Sequence, residues 1–361
     1  MSILARRSAE DTYVVAELGK AFIQTEDERP VAEYLANAMS LVDAAVAAGA
    51  DAVKFQTHEV SDEQAPVAVV SPHFSGADRF AWVTRNTRAT PVDEFWRPLV
   101  AHCRARGITC FSTPMSRGAA QRLAPLALPF WKVGSGDVQD LVLLDYLVGT
   151  GKPIILSSGM VSLRELDDTV TYLKQRGASF AILYCISQYP APDDSFNLAS
   201  IELLRERYPD APIGFSDHSL GYEIALAAIQ VGARIIEKHL SFSRELWGSD
   251  HKVSMTPAEM RAMVSAIRAG GHHQVDPSRW YGQRTRELEG AENEFRPYFN
   301  KTLVAARHLP AGTALTSDAV QAMRPRKYLD GLPATRFHEV LGKVLARDVA
   351  ALEPLSPAAF R

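Results

Sequence analysis

The chain has 361 residues, of which 47% are hydrophobic and 22% are charged, and its formal net charge is -3. This composition is typical of a folded protein with one large domain and one small domain, and it argues against a disordered chain. The slightly negative charge, with no Lys/Arg-rich run among aromatic residues, argues against a general affinity for nucleic acid. We therefore expect small molecules or proteins as partners.

The N-terminal residues, the apolar stretches and the cysteines indicate the cellular compartment of the protein. Residues Met1–Glu10 lack the apolar core of a secretory signal, and we find no apolar stretch of 18 residues. The sequence thus predicts a cytoplasmic protein without a membrane partner. Cys103, Cys110 and Cys185 are too few and too odd in number for a disulfide framework, and none has CxxC spacing. We expect them to be buried, reduced thiols.

Short apolar runs rich in β-branched residues predict eight strands. In chain order they are Tyr13–Leu18, Ala52–Thr57, Ile108–Thr113, Phe130–Gly134, Pro153–Ser157, Phe180–Cys185, Ile213–Ser216 and Ile235–His239. Amphipathic segments between them, such as Ala32–Ala48, Val92–Arg106 and Leu163–Arg176, predict helices. Strict alternation of strand and helix through eight units favours a (β/α)8 TIM barrel over an open sheet.

The pattern changes after Asn300. Thr302–Ala306 and Leu341–Arg347 resemble short strands, a Pro/Gly turn lies at Leu309–Thr313, and no long helix is predicted. The sequence therefore predicts a barrel domain over residues 1–280, a solvated linker over residues 281–299, and a small β-rich domain over residues 300–361.

His218 and His239 end two consecutive predicted strands. The segment between them, Leu220–Ala233, has the length and the Ala/Ile/Leu content of one covering helix. In a β-α-β unit the two strands are parallel neighbours, so both imidazoles should lie at the same rim of the barrel. We interpret the pair as a metal site; the alternative is two structural histidines held by hydrogen bonds.

Other polar residues follow the predicted strands at the same rim, where barrel enzymes have their active sites. They include two lysines and several hydroxyls: Glu17, Lys54, Gln56, Lys132, Ser135, Asp137, Ser157, Ser187, Tyr189 and Ser216. Lysines supply compact positive charge and hydroxyls supply hydrogen-bond donors, which suits phosphate oxygens. The pattern predicts an anionic ligand beside the metal.

Eight short segments in chain order resemble those of one family. They are Ala52–Gln56, Phe111–Pro114, Trp131–Asp137, Pro153–Met160, Tyr184–Pro190, Ser216–Gly221, Glu237–His239 and Gly248–His251. The chain resembles the sialic acid (N-acetylneuraminate) synthase family of phosphoenolpyruvate-dependent nonulosonic acid synthases. That resemblance implies a barrel followed by a small antifreeze-like domain of the SAF type. The chain departs from the family after its first strand, where Gly19–Thr25 lacks the usual Asn-His-x-Gly sequence.

The resemblance also implies a set of site residues. A divalent ion, manganese ahead of magnesium or cobalt, would be bound by His218 and His239 with Glu17 nearby. Phosphoenolpyruvate would be bound by Lys54, Lys132, Ser135, Ser157 and Ser216. The sugar acceptor would be surrounded by Gln56, Ser187, Tyr189, Asp250 and Arg324. Arg324 would come from the small domain of a partner subunit, which implies a domain-exchanged homodimer.

The implied reaction is the condensation of phosphoenolpyruvate with an open-chain N-acylated hexosamine, such as N-acetylmannosamine, to give a nonulosonic acid and phosphate. Glu17 or Asp137 would serve as the general base, and the sequence does not decide between them. Three alternatives stay open: a Schiff-base aldolase that uses Lys54 or Lys132, a condensing enzyme acting on another aldose, and a binding protein with an inert barrel.

Overall fold

The structure is a computed structural model that describes residues 11–70, 78–285 and 291–361. Eight parallel strands close into a barrel in chain order, and the first strand pairs with the eighth. They are β1 Tyr13–Gly19, β2 Ala52–Thr57, β3 Thr109–Pro114, β4 Trp131–Val133, β5 Ile154–Ser157, β6 Phe180–Cys185, β7 Ile213–Asp217 and β8 Ile235–His239. The predicted (β/α)8 barrel is confirmed, and each strand lies within one or two residues of its predicted bounds.

Helices cover the outside of the barrel and continue into the C-terminal part. They are α1 Val31–Ala48, α2 Val60–Glu63, α3 Arg79–Ala89, α4 Arg97–Ala105, α5 Arg117–Leu123, α6 Leu141–Gly149, α7 Leu163–Gln175, α8 Ala199–Arg207, α9 Glu223–Gln230, α10 Pro257–Arg268, α11 Ser278–Tyr281, α12 Ala291–Phe299 and α13 Phe337–Val340. The helix predicted over Val92–Arg106 is instead a π-helical turn, Val92–Trp96, followed by α4.

Residues of each strand alternate between the outside and the inside of the barrel. In β1, Val14 and Ala16 join the main core beneath the helices, while Tyr13 and Val15 join a separate apolar cluster inside the barrel. The inward row of β1 continues to Glu17 because side chains alternate with a period of two. The inner apolar cluster thus forms the floor of the barrel, and polar residues occupy its C-terminal rim.

Helix α1 is long and apolar enough to span a membrane by length and composition. The expectation that the chain has no such stretch was therefore wrong. One helix of this kind is weak evidence for a span, because core helices pass the same test. Tyr34, Ala38, Leu41, Val42 and Ala45 of α1 are buried in the main core, so α1 packs as a barrel helix. All three cysteines are buried and form no disulfide, as expected.

The small domain contains a two-stranded antiparallel sheet, β9 Thr302–Ala305 with β10 Val320–Met323. The strand predicted at Leu341–Arg347 is instead represented by isolated bridges at Val344 and Leu345. The domain has its own core, which extends onto Val142 of α6 in the barrel. The small domain thus rests on the barrel of its own chain.

Part of the predicted linker is ordered against the barrel. Helix α12 lies in this segment and ends at Phe299, whose ring lies 4.8 Å from the Arg79 guanidinium carbon and 5.7 Å from that of Arg324. Arg296 of the same helix forms an ion pair with Glu165 at the start of α7. The end of α12 therefore contributes to the barrel rim.

Candidate functional site

A cavity lies at the C-terminal rim of the barrel, with about 820 Å³ of empty space when the solvent at its open mouth is included. All the site residues proposed from the sequence line this one cavity: Glu17, Lys54, Gln56, Lys132, Ser135, Asp137, Ser157, Ser187, Tyr189, Ser216, His218, His239, Asp250 and Arg324. Their roles stay predictions, but the fold brings them together from every strand except β3, which contributes Thr113 instead.

Two buried lysines dominate one side of the cavity. Lys54 Nζ lies 2.7 Å from Glu17 Oε2 and donates to Thr113 Oγ1 at 3.0 Å. Lys132 Nζ donates to Ser157 Oγ at 2.6 Å and to the carbonyl oxygen of Val133 at 3.1 Å. These contacts hold both ammonium groups beside hydroxyls, which is a suitable environment for an anion with several oxygens.

Glu237 lies close to the lysines, although the sequence analysis gave it no role. Its Oε1 lies 3.5 Å from Lys54 Nζ and accepts a hydrogen bond from Ser216 Oγ at 3.1 Å. Burial alone would raise the pKa of Glu237, but Lys132 and Lys54 outweigh burial and lower this pKa to about 2. Burial lowers the pKa of Lys132, whereas Glu17 and Glu237 outweigh burial and raise that of Lys54.

Gly159 allows the serines of this side to approach one another. Its backbone N–H donates to Ser135 Oγ at 3.0 Å. A Cβ at position 159 would lie 2.2 Å from Ser187 Oγ and 2.8 Å from Ser135 Oγ, well inside van der Waals contact. The site therefore requires glycine at this position.

The imidazoles of His218 and His239 lie side by side, with ring centroids 5.4 Å apart, and both are buried. The ring of Tyr189 lies 4.0 Å from that of His218. His218 Nδ1 donates to the carbonyl oxygen of Ile186 at 2.7 Å, which leaves Nε2 for another partner.

The pKa values of the two histidines shift in opposite directions. Burial lowers the pKa of His239 to about 3, so this imidazole is neutral near pH 7. Burial would also lower the pKa of His218, but the Cys185 thiol outweighs burial and raises it. Because metal ligation requires unprotonated imidazole nitrogens, metal binding at this pair would depend on pH.

These donors suit an ion with open coordination positions. Across residues 11–70, 78–285 and 291–361, no group of three His, Cys, Asp or Glu side chains is arranged to hold a metal. The described residues thus offer His218 and His239 as a pair, and other ligands would have to come from substrate or water. This arrangement fits a catalytic ion and does not fit a closed structural site.

Gln56 and Lys20 define another part of the cavity. Gln56 Nε2 donates to Glu17 Oε1 at 3.0 Å, and Lys20 Nζ donates to Gln56 Oε1 at 2.8 Å. Gly19, with φ of +47°, permits this packing, since a Cβ there would lie 3.0 Å from Glu17 Oε1 and 3.3 Å from Asp250 Oδ2. Asp250, at the start of a 3-10 turn, therefore lies close to both Gln56 and Glu17.

Arg324 reaches the cavity from the small domain of the same chain. Its backbone N–H donates to the carbonyl oxygen of Glu63 at 2.9 Å, and its guanidinium contacts Asp137 Oδ1. Lys301, also from the small domain, lies 3.0 Å from Asp137 Oδ1 and 2.7 Å from Asp140 Oδ2. In this structure Arg324 lines the cavity of its own barrel, and its entry from a partner subunit stays a prediction.

Several cavity residues escaped the sequence analysis: Lys20, His58, Arg79, Glu237 and Phe299. Lys20 and His58 lie one residue beyond β1 and β2, so a wider window at the strand ends would have included them. Glu237 belongs to the segment Glu237–His239 that resembles the family, but the sequence predicted no role for it. Arg79 and Phe299 carry no local signal, because they reach the cavity through the packing of α3 and α12.

Comparison with known proteins decides the family. The family model described as the NeuB family matches residues 41–274, and the model of the SAF domain matches residues 300–361. The chain belongs to the NeuB family. The resemblance inferred from the eight segments is thereby confirmed, and the C-terminal domain is an SAF domain.

Known proteins related to this NeuB family chain match it over most of their own length. The spore coat polysaccharide biosynthesis protein SpsE of Bacillus subtilis is 30% identical over 327 residues, covering 88% of this chain and 87% of the relative. The N-acetylneuraminate-9-phosphate synthase of Homo sapiens is 29% identical over 337 residues, covering 92% and 88%. The crystal structure of the Bacillus subtilis SpsE protein matches with a TM-score of 0.78 and 27% identity, covering 97% of this chain and 95% of that one.

Proposed function

We propose that this chain condenses phosphoenolpyruvate with the open-chain form of an N-acylated hexosamine, giving a nonulosonic acid and inorganic phosphate. One observation carries the proposal: a single cavity holds two buried lysines with hydroxyl partners beside a pair of adjacent imidazoles. The names of relatives agree on the class, since they include N-acetylneuraminate-9-phosphate, N,N'-diacetyllegionaminic acid and pseudaminic acid synthases. Those names differ in the sugar, so the acceptor is proposed only as a class.

The anionic groups of phosphoenolpyruvate would bind on the lysine side. Lys54 and Lys132 would neutralise its charge, and Ser135, Ser157 and Ser216 would donate hydrogen bonds to its oxygens. Lys132 and Ser157 already contact each other at 2.6 Å, so little rearrangement is needed to share one phosphate or carboxylate. Holding the enol carbon against the acceptor in this way can contribute about 7–11 kcal/mol to lowering the barrier.

A divalent ion held by His218 and His239, manganese in preference to magnesium or cobalt, would supply Lewis-acid polarisation of the acceptor aldehyde. The protein residues do the remaining work of binding and orientation. Tyr189 packs on the His218 ring and limits how far that imidazole can turn. Gln56 and Asp250 lie next to Glu17 and would bind acceptor hydroxyls together with Ser187.

Of the two carboxylates considered as general base, we propose Glu17. Asp137 Oδ1 contacts both Arg324 and Lys301, so it is committed to holding the small domain. Glu17 lies in register with Lys54 on one side and with His239 on the other. In this proposal Glu17 would deprotonate the water that attacks the new cationic centre.

The small domain would complete the acceptor side. Arg324 and Phe299 line the cavity there, and Arg324 is fixed by its ion pair with Asp137. A homodimer and a cytoplasmic location, both expected from the sequence, remain part of this proposal. If the chain is a dimer, the contacts seen here would let each subunit complete its own cavity.

The experiment that tests the proposal measures phosphate release. The protein is incubated with phosphoenolpyruvate, manganese and each member of a panel of N-acylated hexosamines and other aldoses, and the sugar acid product is identified by mass spectrometry. We expect release with at least one N-acylated hexosamine. Release with no acceptor would contradict the proposal, and release only with another aldose would place the enzyme outside the sialic acid group.

A Schiff-base aldolase remains the second candidate, because burial lowers the pKa of Lys132 and so favours the nucleophilic amine. Borohydride added in the presence of pyruvate would trap such an adduct. We expect no covalent product, since Lys132 donates both to Ser157 and to the Val133 carbonyl group. A mass increase on Lys132 or Lys54 would support the aldolase.

A further inference from the structure

His58 is a buried residue of the cavity that the proposed reaction does not use. It follows β2 directly and is 2% exposed, and it lines the cavity with Lys20, Gln56 and Arg79. This group lies on the acceptor side, because Lys20 bonds to Gln56, which in turn bonds to Glu17. His58 would therefore contact the sugar and not the phosphate of phosphoenolpyruvate.

A carboxylate fixes which nitrogen of His58 carries the proton. His58 Nδ1 lies 2.7 Å from Glu63 Oε2. Burial would raise the pKa of Glu63, but the hydrogen bond from His58 and the positive charges of Arg324 and Arg79 outweigh burial and lower it to about 2. Glu63 is thus ionised and can only accept a hydrogen bond, so Nδ1 is the donor. Burial lowers the pKa of His58, which leaves Nε2 as an unprotonated acceptor.

Nothing in the described part of the chain satisfies that acceptor. His58 Nε2 is buried and has no hydrogen-bond partner among the described residues. The Lys20 ammonium donates to Gln56 Oε1, and Arg79 Nε donates to Gln64 Oε1 at 3.2 Å. A buried acceptor without a donor is destabilising, so such a group in a cavity indicates that a ligand supplies the donor.

We propose that His58 and Glu63 form a subsite that recognises the acceptor, with Nε2 accepting a hydrogen bond from a neutral hydroxyl or amide N–H of the sugar. Glu63 acts through His58 as a positioning residue that sets the tautomer. A dianionic phosphate ester has no hydrogen to donate to Nε2, so the group bound here is uncharged. The inference rests on the proposed function, which supplies the sugar.

The kinetic test compares His58→Ala with the wild-type enzyme in the phosphate-release assay. We expect the acceptor KM to rise about tenfold while the KM for phosphoenolpyruvate stays within about twofold, because one hydrogen bond to the sugar is lost. His102→Ala is the matched control: His102 Nε2 bonds to Asp43 at 2.8 Å on the outside of the barrel, so both KM values should stay unchanged. An equal rise in both KM values, or in neither, would overturn the proposal.

Acceptor analogues that each lack one hydroxyl identify the contact. Wild-type enzyme should lose about tenfold in KM with one of these analogues, and His58→Ala should fail to distinguish that analogue from the parent sugar. If the variant discriminates among the analogues as the wild type does, His58 does not contact the sugar and the proposal is wrong.

A measurement without turnover separates this inference from the proposed function. In ¹⁵N-histidine-labelled protein, the His58 signals are assigned by their loss in His58→Asn. We expect a proton on Nδ1 and none on Nε2, a shift of Nε2 when the N-acylated hexosamine is added, and a mixture of tautomers in Glu63→Gln. An Nε2 that bears the proton, or that does not shift with any sugar of the panel, would refute the subsite even in an active enzyme. Shifts without phosphate release would support the subsite and contradict the synthase.

Discussion

At the scale of single residues, strand register explains why the charged groups meet. Glu17 pairs with Lys54 across β1 and β2 and with His239 across β1 and β8, and Ser216 pairs with Glu237 across β7 and β8. Because side chains of parallel strands in register point the same way, each pairing brings two functional groups to the same height in the barrel. Two carboxylates and two ammonium groups thus lie together inside the barrel, and Glu237 offsets the mutual repulsion of the two lysines.

Replacing His218 or His239 by Ala should abolish both metal binding and phosphate release. The described residues offer only this imidazole pair as neutral donors beside the proposed acceptor, so loss of one leaves an incomplete site. We expect manganese binding, measured by calorimetry, to disappear and phosphate release to fall at least about a hundredfold.

The His102→Ala variant is the control for the histidine pair, since that imidazole lies outside the cavity. Unchanged thermal unfolding of the metal-free variants would exclude a folding defect. Retention of manganese binding by either His218→Ala or His239→Ala would refute the assignment of the pair.

At the scale of elements, the short helix α2 links the barrel to the small domain. Glu63, its last residue, bonds to His58 through its side chain and accepts from the Arg324 backbone through its carbonyl oxygen. An adjacent bridge pairs Gln64 with Arg324. One turn of helix thus connects the proposed acceptor side of the cavity with β10.

The ionisation of Glu63 should make the stability of this junction depend on pH. Its pKa is about 2 in the folded chain, below the ordinary value of 4.5, so its contribution is complete above pH 4.5 and is lost as the pH falls towards 2. The difference corresponds to about 3 kcal/mol at 1.36 kcal/mol per pKa unit. We expect the difference in the free energy of unfolding between wild type and Glu63→Gln, measured by urea unfolding, to decrease steadily from pH 5 to pH 3.

An exposed acid provides the comparison. Glu339 lies on the surface of the small domain in an exposed ion pair with Arg336, and Glu339→Gln should show no such decrease. If the difference in unfolding free energy between wild type and Glu63→Gln does not change over this pH range, Glu63 is not an ionised, stabilising residue.

Strands and helices whose apolar residues recur at a regular spacing were predictable from sequence, and elements fixed by tertiary contacts were not. The barrel strands alternate or are continuously apolar, and α1 and α7 carry clear helical stripes, so their bounds were predicted within one or two residues. Leu341–Arg347 has the composition of a strand, yet in so small a domain it forms only isolated bridges. Phe299 reaches the cavity because α12 folds back over Arg79, which no local pattern encodes.

At the scale of the whole molecule, the small domain closes the cavity by electrostatic contacts with the barrel. Lys301 is buried between Asp137 and Asp140 and also donates to the carbonyl oxygen of Met115 at 2.6 Å. Arg324 shares Asp137 with it. The apolar core of the small domain meets Val142 of α6 nearby, so charged and apolar contacts hold the domain in one position.

Lys301→Ala should loosen this docking. Removing one partner of a buried ion pair costs about 3–5 kcal/mol, because the remaining carboxylates lose their counter-charge. We expect faster limited proteolysis between the barrel and the small domain and a raised acceptor KM. Arg307→Ala is the control, since Arg307 forms an exposed ion pair with Asp318 of the same domain. Equal proteolysis of the two variants would show that Lys301 does not hold the domain.

Whether the small domain serves its own barrel or that of a partner can be tested by mixing two inactive variants. His218→Ala damages the barrel and Arg324→Ala damages the small domain. If each chain completes its own cavity, as the Arg324 contact with Asp137 indicates, every cavity in a mixed dimer carries one defect and activity stays at the level of the parents. In a domain-exchanged dimer, the intact barrel of the Arg324→Ala chain receives the intact small domain of the His218→Ala chain. Recovery of phosphate release after co-refolding would therefore overturn the arrangement within one chain and support exchange.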